Sequence, residues 1–203
     1  KKYIEKRVKA KSVDSAMLGK EFQRFFSSPN YILNCGLGIL ILIGAGAFVL
    51  IKGQWLADII SGMFGSENYI CVASAALICL IASMNDMSAP SVSLEGRNIW
   101  IAQSLPITSW QAIKAKKSMH LLLTGIPAFV CSACTIIALK PTPLGALTVI
   151  AVPAVFILFF SMFGLVLNLK YPNLNWTNEI TPIKQSMSVF VSMFGGWIYT
   201  IVF

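Results

Sequence analysis

Five stretches of this chain, at residues 31–51, 69–84, 119–139, 144–169 and 186–203, contain no Asp, Glu, Lys or Arg, while fourteen of its sixteen basic residues fall on one side of them. Eight precede the first stretch: Lys1, Lys2, Lys6, Arg7, Lys9, Lys11, Lys20 and Arg24. Arg97, Lys114, Lys116 and Lys117 lie in the second connection, and Lys170 and Lys184 in the fourth. The first and third connections carry only Lys52 and Lys140. An apolar helix needs about 20 residues to cross the hydrocarbon of a bilayer, and basic residues near span ends are retained in the cytoplasm. The pattern predicts an all-α, polytopic membrane protein with about five transmembrane helices visible, its N-terminal segment and even-numbered connections cytoplasmic.

Composition agrees. The 203 residues are 56% hydrophobic and only 12% charged, with a mean hydropathy of +0.73, too apolar for a soluble domain of this size. The net charge of +8 lies beside apolar spans without the aromatic or helix-turn-helix context of a nucleic-acid binder, so the expected partner is membrane lipid and not nucleic acid. The chain opens at Lys1 and stops at Phe203 inside an apolar run, which reads as a piece of a longer protein. The first residues are charged and lack the apolar centre of a signal peptide.

The predicted organisation follows from these spans: a cytoplasmic segment at 1–30, spans one and two within 31–84, a cytoplasmic connection at 85–118, spans three and four within 119–169, a second cytoplasmic connection at 170–185 and a fifth span at 186–203. The second span is short. It either begins earlier, recruiting part of residues 55–64, or leaves that segment as an interfacial helix on the outer face. In the first segment Leu18, Phe22, Phe25 and Phe26 stand at i, i+4, i+7 and i+8, with Lys20, Glu21, Gln23 and Arg24 between them, the pattern of an amphipathic helix lying in the membrane surface. Ser27-Ser28-Pro29-Asn30 ends it, because the residue before proline avoids helical geometry.

The second connection is rich in apolar residues: Leu94, Ile99, Trp100, Ile101, Leu105, Ile107 and Trp110. Pro90 is expected to open a short helix through about Ser104. Thr108-Ser109-Trp110-Gln111 fits a capping box, and a helix from Ser109 to Leu139 would be about 46 Å long at ~1.5 Å per residue, projecting beyond the hydrocarbon.

The spans lack the ionisable groups with which coupled transporters carry ions, which disfavours a secondary transporter. His120 reads as a boundary histidine at the third span. Cys131 and Cys134 have metal or redox spacing, but without a second pair they read as packing residues, and with Cys35, Cys71 and Cys79 they all lie inside spans. Gly36, Gly38, Gly44 and Gly46 suit close helix packing. Asn175-Trp176-Thr177 matches a glycosylation acceptor on the predicted cytoplasmic side. No GxxxxGK[ST] run is present to cradle nucleotide phosphates.

Ser93-Leu94-Glu95-Gly96-Arg97-Asn98-Ile99-Trp100, followed by Ser104-Leu105-Pro106-Ile107-Thr108 and Lys114-Ala115-Lys116, resembles the cytoplasmic loop of permease subunits of bacterial type-2 ABC (ATP-binding cassette) exporters. Lys20 to Pro29 and Leu169 to Trp176, with Asn178-Glu179, add to the resemblance. It implies an interface helix before the first span (Leu18, Phe22, Phe25 and Phe26) and a coupling loop, with Leu94, Glu95, Gly96, Arg97, Asn98 and Trp100 at the contact with a nucleotide-binding subunit. It also implies a six-helix half whose sixth span is missing here, a second half supplied by another permease chain or by a homodimer, and a bacterial plasma-membrane location. This chain would not itself be an enzyme and would hold no cofactor; ATP and magnesium would be handled by the partner ATPase. Other classes compatible with the residues are an ATP-independent carrier or channel, and a membrane scaffold. On physical grounds Glu95 and Arg97 are suited to charge-assisted pairs with a partner, Trp100 to anchoring in a pocket and Gly96 to close backbone approach.

Overall fold

A computed structural model describes residues 12–64 and 69–202. Six of the expected basic residues, Lys1 to Lys11, lie outside the described residues. Among those described there is no strand. The helices are α1 (Val13–Ser27), α2 (Pro29–Cys35), α3 (Leu37–Phe64), α4 (Tyr69–Ser83), α5 (Ile99–Ser104), α6 (Ser109–Leu139), α7 (Pro143–Lys170), α8 (Ile180–Lys184) and α9 (Met187–Val202), with a 3-10 turn at Ser93–Asn98. Three of them, α3, α6 and α7, are long and apolar enough to cross a membrane. The shorter α4, of 15 residues, and α9, of 16, occupy the second and fifth apolar stretches.

Local chemistry sets the boundaries. Ser12 caps α1 by accepting from the Ser15 N–H at 3.3 Å, and Asp14 stands in the first turn, where a negative charge complements the helix dipole. Ser28 ends that helix and caps the next, accepting from the Tyr31 N–H at 3.3 Å, while Pro29 takes the first helical position, where its missing N–H leaves no partner unsatisfied. At α6 the capping box is complete: Thr108 Oγ1 accepts from the Gln111 N–H at 3.3 Å, and Gln111 Oε1 accepts from the Thr108 N–H at 2.9 Å. The 31-residue helix begins at Ser109 and ends at Leu139, as the sequence predicts.

Two expectations about the first half change. The stretch at 31–51 is broken at Gly36, where a side chain would meet Phe25 at 2.9 Å and the Ile32 carbonyl oxygen at 2.7 Å. Residues 55–64 do not join the second span; they are helical and follow α3's first part across a kink at Lys52, whose φ of −124° and ψ of 20° are not helical, so that two helical segments meet there. Of the four glycines, Gly36, Gly38 and Gly46 stand where an added Cβ would meet neighbouring atoms, that on Gly46 reaching Cys131 of α6 at 3.3 Å, whereas Gly44 faces open space.

One core runs along the bundle, with Leu42, Ile78, Cys79, Ala128, Cys131 and Phe156 among its members. A second joins Phe25, Tyr31, Met87, Leu94, Met119 and Ile183 from five separate segments. This second core draws α1, the 85–108 connection and the 171–186 connection to one end of the bundle. The turn between α6 and α7 lies at the other end, where a side-chain carbon on Gly53 would meet Ala138 at 3.0 Å and one on Gly145 would meet Cys71 at 2.6 Å. The connections that the basic residues sort together are thus together in space.

Candidate functional site

The 85–108 connection is held as a shaped body. Tyr31 donates its hydroxyl to the Met87 carbonyl oxygen at 2.6 Å. Asp86 Oδ1 accepts from the Ala89 N–H at 3.2 Å, and Ser91 donates to the Ser88 carbonyl at 2.7 Å. Asn168, in the last turns of α7, does most of the anchoring: its Oδ1 accepts from the N–H groups of Val92 and Ser93 at 2.8 and 2.9 Å, and its Nδ2 donates to Ser93 Oγ at 2.7 Å and Ser188 Oγ at 3.1 Å. Trp176 then donates its indole N–H to the Ser93 carbonyl at 2.6 Å. Asn175-Trp176-Thr177 is therefore tied to the connection through its tryptophan.

Gly96 adopts φ 52° and ψ −137°, a combination that side chains oppose. A Cβ there would also stand 3.1 to 3.2 Å from the Trp176 indole. The glycine lets the turn reverse against that ring. Leu94, Glu95 and Gly96 consequently face inward, whereas Arg97 and Asn98 are exposed and Trp100 is 62% exposed.

Glu95 sits at the centre of a cluster of charges. Lys116 Nζ donates to Glu95 Oε1 at 2.7 Å, Glu21 Oε1 at 3.0 Å and the Ser91 carbonyl at 3.0 Å, using all three of its donors. Arg24 lies 3.4 Å from Glu95 and 3.5 Å from Glu21, and Lys20 lies 3.8 Å from Glu95. Glu21, Glu95 and Lys116 are all buried. Burial pushes the Glu95 carboxyl up, but Lys116, with Lys20 and Arg24 behind it, outweighs burial and holds the group below its ordinary value. Breaking such a buried network by removing one member costs about 3–5 kcal/mol. Three elements distant in sequence, α1, the 3-10 turn and α6, are pinned together here.

This arrangement revises the role expected of Glu95. Its carboxylate is engaged within the chain, whereas Arg97 is exposed and has no ion pair among the described residues. Trp100, Ile101, Leu105 and Trp110 are 62%, 45%, 43% and 57% exposed, which makes this an apolar rim on a polar body.

The interface-helix stripe also divides. Phe25 is buried against Tyr31, ring centroids 5.1 Å apart, and Leu18 and Phe22 are half-buried. Phe26 alone of the four is open, at 62%. The inward face of α1 is Met17, Glu21 and Phe25, spaced by four, and the sequence pattern gave Glu21 to the wrong side because its partner Lys116 is remote along the chain. His120, one turn beyond Lys116, is buried, with Nδ1 unpartnered among the described residues, because the α6 face carrying Lys116, His120 and Thr124 turns inward. Cys131 packs in the bundle core. No protein-family model, curated protein or solved structure matches this chain.

Proposed function

We propose that the chain is a membrane-spanning permease subunit of an ATP-driven ABC exporter in a bacterial plasma membrane, with its basic end in the cytoplasm and a separate ATPase seated on the 85–108 connection. The observation that carries this reading is the combination of an exposed rim, Arg97, Trp100, Ile101, Leu105 and Trp110, with a rigid attachment of that rim to α1, α6 and α7. A large aromatic surface on a fixed support suits protein docking, and a fixed support transmits the docking of a partner to the long helices. ATP binding would act by favouring one of two arrangements of the bundle, through contacts that differ between them.

The test separates the outward residues from the inward ones. Purified in mild detergent, the tagged protein should carry a P-loop ATPase in stoichiometric amount. Replacing Arg97 with Glu and Trp100 with Ala should weaken that association roughly 30-fold or more, the equivalent of losing an interface anchor worth about 2 kcal/mol, while leaving thermal stability unchanged. Retention of full ATPase binding by the double variant would overturn the assignment of this surface. Substituting Glu95 would not serve, because the pinned cluster would fail first.

A further inference from the structure

A cavity of about 350 Å³ lies where α2, the turn after α4, α8 and α9 converge. Its lining changes character along its length. Phe190, Met193 and Trp197 of α9 supply an apolar part, Ser83 and Asp86 a polar part, and Lys184 of α8 a cation. Phe190 is 55% exposed and Trp197 40%, so the apolar part opens sideways from the bundle. Lys184 is exposed, whereas Asp86 is only 5% exposed.

Asp86 uses one oxygen to hold its own turn, and its Oδ2 has no hydrogen-bond partner among the described residues. Burial raises its carboxyl to about 6, so at neutral pH the group still carries charge in most molecules. Its donors are neutral groups of the chain, the Ala89 N–H at 3.2 Å and the Ser88 hydroxyl at 3.5 Å on Oδ1, and no ion pair reaches it among the described residues. A buried carboxylate without a cation is unfavourable, and Lys116 has all of its donors engaged elsewhere. The cavity therefore offers a desolvated negative group within, a positive group at an exposed position and an apolar flank.

We propose that this cavity binds an amino-phospholipid, its ammonium on Asp86, its phosphate toward Lys184 and an acyl chain over Phe190, Met193 and Trp197. A purely apolar ligand would leave Asp86 unpaired. An anionic lipid without an amine would satisfy Lys184 but place no donor on the carboxylate. A bare metal ion finds no group of three or more His, Cys, Asp or Glu among the described residues. The zwitterionic amphiphile matches all three features, and the assignment does not depend on the ATPase-coupling reading.

Native mass spectrometry of the purified protein, titrated with dioleoyl phosphatidylethanolamine, phosphatidylcholine and phosphatidylglycerol, tests it. Phosphatidylethanolamine should bind about tenfold more tightly than the other two, since only it brings N–H donors to a charged acceptor. Asp86→Asn should abolish that preference. Lys184→Gln, at an exposed position, should weaken all three lipids alike, since each carries the phosphate, and should leave the preference for phosphatidylethanolamine in place. Equal binding of the three lipids by the unsubstituted protein would overturn the proposal without recourse to any variant, as would a preference that survives Asp86→Asn.

Discussion

Glu95 and Asp86 lie on the same connection and both are buried, but their surroundings have opposite characters. Around Glu95 every charge is answered: Lys116 spends three donors, and Arg24 and Lys20 add theirs. Around Asp86 the answer is partial: Oδ1 accepts from the Ala89 N–H and the Ser88 hydroxyl, while Oδ2 and both amide atoms of Asn85 have no hydrogen-bond partner among the described residues. The carboxyl groups respond accordingly, Glu95 being held down and Asp86 raised. A satisfied buried network fixes geometry, whereas an unsatisfied one costs stability and is a place for something to bind. The first region is a pin, and the second is a receptacle.

The strongest way to break this contrast is Lys116→Met. It would leave Glu21 and Glu95 buried together without their shared cation, and about 3–5 kcal/mol of stability should be lost, read as a lowered thermal midpoint in detergent. A midpoint within a degree of the parent would mean that the cluster is not a pin.

Asp86→Asn should move the other way. Because the folded group titrates near 6 and its ordinary value is 3.8, its ionised form penalises the fold by up to ~3 kcal/mol. That penalty is complete above pH 6, shrinks as pH falls through this range and is gone below about 3.8. The variant should therefore be the more stable protein at pH 7.5 and should converge on the parent near pH 4. Thermal melts across that range give the answer, and a variant less stable than the parent at pH 7.5 would contradict the open character of this region.

A pair of asparagines sharpens the contrast at smaller scale. Asn168→Ala orphans the N–H groups of Val92 and Ser93 and should cost about 2–3 kcal/mol. Asn85→Ala removes an amide with no partner and should change stability by less than about 1 kcal/mol in either direction. Chemical denaturation of the two variants side by side would show whether the difference holds. Smallest of all, Phe26→Ser should alter stability by no more than about 0.5 kcal/mol, since the ring is outside the core, and its effect should appear as weaker association of α1 with lipid vesicles.

How much of this was legible beforehand follows from the range of the forces involved. The uncharged stretches, the Ser28-Pro29 break and the Thr108 capping box depend on residues close in sequence, and the structure has them where they were expected. At residues 55–64 only half of the arrangement is local: Lys52 marks the break in the apolar stretch, and the chain kinks there, but that helix resumes directly after the kink is set by the fold. Phe25 and Phe26 are indistinguishable by hydrophobicity; what separates them is whether α6 lies against α1, which no local spacing encodes. Glu21 carries a usable signal, a carboxylate spaced by four from Met17 and Phe25, but its partner Lys116 is brought to it only by the fold.

The position of the pin on α6 has a mechanical consequence. Lys116 is close to the start of a helix about 46 Å long at ~1.5 Å per residue, and the rest of that helix extends away from it toward the opposite end of the bundle. The helix is thus a lever held by its short arm. If it tilts as a rigid rod about that point, a rotation of roughly 10° carries the Leu139 end sideways by about 6 Å at that same rise per residue. A displacement at the pinned end too small to disturb its hydrogen bonds is magnified, at the far end, into one wider than a hydrocarbon chain.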